Sequence, residues 1–136
     1  MPSSTTSSES ARVLLVDDNE AMLARVATVL APECVVVGSA TDGPTAVMAA
    51  LALHPDVVVL DVSMPGMTGL EVAIRLRMSG SNAAVVFLTI HEEEDIVSAA
   101  QASGGIGYVV KPRLASDLLV AVREAREGRP FVSPLG

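Results

Sequence analysis

The chain contains one cysteine, no tryptophan, one tyrosine and two phenylalanines. A single cysteine, Cys34, excludes a disulfide framework or a cysteine metal cage within one chain. Cys34 stands before an apolar run and reads as a buried structural thiol. With so few aromatics, the core must be built from Val, Leu, Ala, Ile and Met. Basic residues are also scarce: nine Lys and Arg stand against sixteen Asp and Glu, a net charge of -7. No run concentrates them, which argues against a direct nucleic-acid surface. No apolar run approaches the ~20 residues of a membrane span. The first ten residues have neither the basic start nor the apolar stretch of a secretory signal. A cytoplasmic, reducing setting without membrane association is the expectation.

What is present is a long apolar inventory. Half of the 136 residues are hydrophobic, enough for one domain with a proper core. Residues 1–10 read as a disordered polar tail, residues 11–128 as the domain, and residues 129–136 as a C-terminal tail. Short β-branched runs fall at about 12–16, 34–38, 56–60, 84–88 and 107–110. They are apolar throughout, as in strands covered on both faces. Helical spacing marks 20–30, 45–53, 68–78, 92–102 and 114–127, with Asn19 and Asp42 as N-caps of the first two. Pro32, Gly43-Pro44, His54-Pro55, Pro65-Gly66, Ser79-Gly80 and Gly104-Gly105 punctuate the joints. Strict β/α alternation specifies an α/β fold, a doubly wound parallel five-stranded sheet. The flavodoxin-like (βα)5 order 2-1-3-4-5 is the commonest at this size.

That order brings four strand ends to one edge. Val13-Leu14-Leu15-Val16 runs into Asp17-Asp18, and Val57-Val58-Val59-Leu60 into Asp61. Val85-Val86-Phe87-Leu88 ends at Thr89, and Tyr108-Val109-Val110 at Lys111. Strand 2, ending at Gly38-Ser39 on the outside, supplies nothing reactive. Ligands of open α/β sheets bind outside the carboxyl ends of the strands, where the winding reverses. Three carboxylates there repel one another unless a cation intervenes. Mg²⁺ suits them, being a hard ion that keeps waters and bridges to phosphate. Thr89 and Lys111 supply a hydroxyl donor and a point charge for a phosphoryl group, and one carboxylate can serve as nucleophile. Taken singly, each residue has a bland reading as a helix cap, turn former or solvated side chain. Their joint placement is what points to phosphoryl chemistry.

Over about residues 11–128 the chain resembles the receiver domains of two-component response regulators. The resemblance rests on Val16-Asp17-Asp18-Asn19 and on Leu60-Asp61-Val62-Ser63-Met64-Pro65-Gly66-Met67-Thr68-Gly69-Leu70-Glu71. Leu88-Thr89 and Gly107-Tyr108-Val109-Val110-Lys111-Pro112 complete it. It implies that Asp61 is the phosphoacceptor, loaded by a sensor histidine kinase or a histidine phosphotransfer protein. Asp18, Asp61 and the Ser63 backbone carbonyl would hold Mg²⁺, with Asp17 assisting through a water. Lys111 would pair with the phosphoryl group, and the Lys111–Pro112 bond would be cis. Thr89 and Tyr108 would be switch residues, Tyr108 changing rotamer as Thr89 swings. The face made by the fourth helix, fifth strand and fifth helix would then change, and homodimerisation could follow. On the residues alone, Tyr108 reads equally as a half-buried sheet aromatic.

Thr89-Ile90-His91-Glu92-Glu93 and Gly128-Arg129-Pro130-Phe131-Val132-Ser133-Pro134 are similar to the NarL/LuxR-type subclass. In that subclass a helix-turn-helix output domain follows; residues 129–136 would begin its linker in a longer protein, the favoured reading, or the chain would be a stand-alone regulator. Bulky Ile90 is expected to narrow access to Asp61 for small phosphodonors. His91 reads as a rim histidine rather than a metal ligand, and Glu92 to Asp95 as a solvated first helical turn. Three rivals fit less well. A dehalogenase-like phosphatase would carry a second acid two residues after its nucleophile, where this chain has Ser63. A flavin module would need a Ser/Thr/Gly-rich phosphate loop in place of Asp17-Asp18-Asn19. A degenerate interaction module would not retain Asp17, Asp18, Asp61, Thr89 and Lys111.

Overall fold

The structure, a computed structural model, describes residues 10–135. The expected N-terminal tail, apart from Ser10, lies outside them. The elements are β1 (Ala11–Val16), α1 (Glu20–Leu30), β2 (Cys34–Ala40), α2 (Gly43–Leu53), β3 (Val57–Leu60) and α3 (Gly69–Met78). They continue with β4 (Ala84–Thr89), α4 (Glu94–Ala102), β5 (Gly105–Val110), a 3-10 turn (Lys111–Arg113), α5 (Leu114–Arg126) and β6 (Phe131–Val132). All strand pairings are parallel, in the order β2-β1-β3-β4-β5-β6.

Side chains of a strand alternate between faces, so an unbroken apolar run serves two cores at once. Leu14, Val16, Val58, Leu60 and Phe87 pack against Ala46 and Ala50 of α2, Val72 and Leu76 of α3, and Val97 and Ala100 of α4. Val13, Leu15, Val57, Val59, Val86 and Leu88 pack against Val26 and Leu30 of α1 and Leu114, Leu118, Ala121 and Val122 of α5. A fully buried Leu such as Leu118, with no exposed surface, contributes roughly 1.5–3 kcal/mol relative to exposure. Cys34 is partly buried beside the second core, and burial pushes its thiol pKa up.

The helix starts follow their caps. Asn19 accepts from the Met22 N–H and Asp42 from the Thr45 N–H, as expected. Thr68 caps α3 in a reciprocal box with Glu71, so it flanks that helix instead of opening it.

The expected order 2-1-3-4-5 is present, and Phe131–Val132 extends the five strands by a sixth at the β5 edge. A two-residue strand leaves no periodic signature in sequence. Gly128, at φ 76°, turns the chain back after α5, and the Arg129 N–H donates to the Glu124 carbonyl. Arg129 and residues 131–133 are thus hydrogen-bonded to the end of α5 and to β5. β2 is covered only in part: it lies at the sheet edge and Val35 is 52% exposed. Helix α4 begins at Glu94, with Glu92 and Glu93 in the preceding loop. Finally, the Lys111–Pro112 bond is trans. Proline permits a cis bond without requiring it, trans remaining favoured by about 0.5–1 kcal/mol, and here Pro112 sits within a 3-10 turn closed by the Leu114 N–H on the Lys111 carbonyl.

Candidate functional site

Each reactive side chain is delivered by the end of a hydrogen-bonded parallel strand. The Asp17 N–H donates to the Ala40 carbonyl and the Asp61 N–H to the Val16 carbonyl, which extends the ladder one residue beyond β1 and β3. Val16 and Leu60, register partners, place Asp17 and Asp61 side by side at the point where the winding reverses. Carboxylate oxygens of Asp17, Asp18 and Asp61 lie within 4.8 Å of one another. Asp17 and Asp61 are buried, whereas Asp18 is exposed. One oxygen of Asp17 accepts the Asn19 N–H at 2.9 Å, and one of Asp61 accepts the Ser63 N–H at 3.3 Å. Their second oxygens face Lys111, whose Nζ lies 3.1 Å from Asp17 Oδ2 and 3.5 Å from Asp61 Oδ2.

Burial raises the Asp61 pKa above the ordinary carboxylate value, and the neighbouring Asp17 charge adds to it. Lys111 and the Ser63 N–H pull the other way without cancelling those effects. The pocket is therefore short of positive charge. A hard divalent cation with oxygen ligands and retained waters fits this donor set. Asp17, Asp18 and Asp61 are the side chains that could hold it, with no thiolate or imidazole in the group.

Thr89 and Tyr108 reach the rim through His91. Thr89, fully buried at the end of β4, accepts the His91 N–H on Oγ1 at 3.2 Å. Tyr108 is 1% exposed, and its hydroxyl donates to the His91 carbonyl at 2.9 Å. Tyr108 is thus a sheet aromatic, more deeply buried than the half-buried one expected. Burial, followed by the charges of Glu93 and Glu92, pushes its phenol up to about 12, so it stays a donor at neutral pH. His91 Nε2 in turn lies 2.7 Å from Ser63 Oγ. The carboxylate group consists of Asp17, Asp18 and Asp61 and does not include His91. The Ser63–His91 link is invisible in the sequence, since 28 residues separate the two. Ile90 between them is largely exposed.

Gly69, the last glycine of the Asp61 motif, has a steric reason. Its N–H donates to the Val62 carbonyl at 2.8 Å, and a Cβ there would land on the Asp61 carbonyl oxygen. The start of α3 is pressed against the backbone of Asp61, and only glycine allows that approach.

Comparison with known proteins agrees with this geometry. The family described as "Response regulator receiver domain" matches residues 13–123. The nitrate/nitrite response regulator NarL of Escherichia coli K12 is 39% identical over 128 residues, covering 92% of this chain and 59% of its own length. LiaR, a transcriptional regulatory protein of Bacillus subtilis, is 34% identical over 121 residues, with 88% and 57% covered. The chain therefore spans less than two thirds of either relative. Among solved structures, a LuxR-family two-component response regulator from Aurantimonas sp. SI85-9A1 superposes with a TM-score of 0.88 at 29% identity, covering 93% of this chain and 91% of its own. Receiver domains act as phosphoacceptors and regulators rather than as enzymes of the ordinary kind. Fold, acidic pocket and relatives converge: the chain belongs to the response regulator receiver domains of two-component systems, alongside regulators of the NarL/LuxR type.

Proposed function

We propose that Asp61 accepts a phosphoryl group from a sensor histidine kinase, or from a histidine phosphotransfer protein, in a Mg²⁺-dependent reaction. The observation that carries this is the convergence of three carboxylates within 4.8 Å on a lysine that bridges two of them. An oxygen of Asp61 attacks phosphorus, the P–N bond of the phosphohistidine breaks, and the imidazole leaves with the electron pair and takes up a proton. The product is an acyl phosphate on Asp61. Asp17, Asp18, Asp61 and the Ser63 carbonyl would hold Mg²⁺, which supplies charge neutralisation for the transferred group. Lys111, next to the Asp61 oxygen, pairs with a phosphoryl oxygen and Thr89 donates to another.

The adduct adds about -1.5 to -2 charges and three acceptor oxygens. Lys111 then exchanges carboxylate for phosphoryl contacts, while the Thr89–His91–Tyr108 bonds lie between the site and α4. Redistributing them biases the α4-β5-α5 face, and moving that equilibrium from 1:99 to 99:1 takes about 5.5 kcal/mol of differential binding. The output would be transcriptional control through a helix-turn-helix domain in a longer protein, with homodimerisation as one means of transmission. The setting would be cytoplasmic. No helix among the described residues is long and apolar enough to cross a membrane.

Incubation with Mg²⁺ and a small acyl phosphate is expected to add one phosphoryl group by intact mass. Asp61→Asn should abolish the adduct, and chelation of the metal should suppress it. No adduct from either an acyl phosphate or a phosphorylated histidine donor would overturn the reading, as would repeated turnover of generic phosphoesters.

A further inference from the structure

We propose that the outer face of α2 and α3 is an interface for a second copy of this chain, formed whether or not Asp61 carries a phosphoryl group. Helix α2 contains no charged residue, and Thr45 is its only hydroxyl or amide side chain. A helix lying on a sheet ordinarily turns charged and polar groups outward. Here the outward positions are Pro44, Thr45, Met48, Leu51 and Ala52, all exposed, with Met48 at 72%. Helix α3 packs beside α2 and adds Ile74 and Met78, the latter 79% exposed. Among the described residues eight large hydrophobics are exposed, and these two helices hold four of them. Leu51 lines one cleft with Ser79, just past the end of α3, so the two helices present their apolar groups together. Single exposed apolar residues need no explanation, whereas a contiguous patch marks an interaction surface.

Charge identifies the occupant. The chain carries a net charge of -7, so two copies repel wherever acidic faces meet. The α2–α3 face does not share that excess: its helices hold one acid, Glu71, and two bases, Arg75 and Arg77. Glu71 is held in place by the capping box, its Oε1 accepting the Thr68 N–H at 2.9 Å. The Arg75 guanidinium, one turn further on, has no hydrogen-bond or ion-pair partner among the described residues. Opposite charges one turn apart are self-complementary about a two-fold axis. Such an axis, crossing the middle of both helices, lays α2 and α3 antiparallel on their counterparts. Glu71 then meets the second copy's Arg75, and Arg75 its Glu71, beside Met48, Ile74 and Met78. The ion pairs set the register, and the apolar side chains supply the driving force. A strongly charged partner would find nothing on α2 to pair with. Neither helix contributes to the Asp17, Asp18 and Asp61 group, so the proposal stands apart from the phosphoacceptor reading. Helices of about three turns present less than the ~800 Å² per partner of a standard interface. A dissociation constant on the order of 10–100 μM is therefore expected.

Sedimentation velocity of the whole chain, without a phosphodonor and over concentrations that bracket that constant, tests the proposal. A reversible monomer–dimer equilibrium is expected. Met48→Glu puts a charge into the patch and should weaken the dimer about tenfold or more, with the far-UV circular dichroism of the folded chain retained. Glu71→Arg alone and Arg75→Glu alone should each be monomeric, because like charges then face each other twice. Their equimolar mixture should dimerise again, since both contacts become Arg against Glu. A merely structural effect of either substitution would not be rescued by mixing. A chain that stays monomeric over the whole range overturns the proposal and leaves the face to a different protein. A dimer indifferent to Met48→Glu overturns it as well, by placing self-association elsewhere. Folded single variants whose mixture remains monomeric exclude the two-fold pairing and overturn it too.

Discussion

Two aspartates of this chain respond to pH with opposite sign, and the reason lies in what surrounds each. Asp61 has its pKa raised by burial and by Asp17. Its folded form holds a proton over a range where the unfolded chain has lost it, so stability falls as pH rises through that range. In the metal-free protein at neutral pH, Asp61→Asn should therefore raise the denaturant midpoint, with the difference vanishing below about pH 3.9, the ordinary Asp value. Asp117 is the reverse: hydrogen bonds from Arg113, and then from Ser133 and Ser116, lower its pKa against the effect of burial. Its contribution is complete above the unfolded value and is lost as pH falls through the lower folded one. Asp117→Asn should cost about 1–3 kcal/mol at neutral pH, and the gap should close in acid. Lys111 supplies a third case. Lys111→Met strands two buried carboxylates and should cost about 2 kcal/mol without metal, less than the ~3–5 of a fully buried pair because Lys111 keeps some solvent contact. Urea titrations of the variants, with and without chelator, read all three.

Elements place these residues by fit between backbones. The β3–α3 connection carries the tightest fit, since Gly69 leaves no space for a side chain against the Asp61 carbonyl. Gly69→Ala must push the start of α3 or the Asp61 backbone aside, at a cost of about 1–3 kcal/mol for such overpacking. The misplacement acts on the phosphoacceptor, so the loading rate should fall more than tenfold while the far-UV circular dichroism is preserved. By contrast Thr68→Ala removes one cap and should cost only about 1 kcal/mol, with loading nearly unchanged. The pair separates a steric requirement from a stabilising one. Helical periodicity and caps were readable here because one face of each helix meets the sheet; Asn19 and Asp42 cap as their positions suggested. The two-residue β6 and the delayed start of α4 were not, since neither produces a hydrophobic period.

For the molecule as a whole, the acidic edge of the sheet dominates. Binding of Mg²⁺ to the folded state alone should stabilise it by about 2.7 kcal/mol at a hundredfold excess over Kd. A thermal melt with increasing Mg²⁺ should therefore shift upward, and the shift should shrink sharply in Asp18→Asn. That variant removes the exposed carboxylate of the group and leaves the Lys111 contacts to Asp17 and Asp61 untouched.

The sequence by itself determined the alternation of elements, the parallel sheet and the set of groups at its carboxyl edge. Continuous apolar runs demand two covering layers, and right-handed crossovers leave few ways to provide them. Once the strand order follows, Asp17, Asp18, Asp61 and Lys111 must meet. Tertiary structure alone decided the rest: the trans Lys111–Pro112 bond, the link of Ser63 to His91, and the burial of Ser133 between Val110 and Asp117. Those contacts join residues far apart in the chain through single hydrogen bonds. Such bonds leave no periodic mark, and only the packed backbone brings their donors and acceptors together.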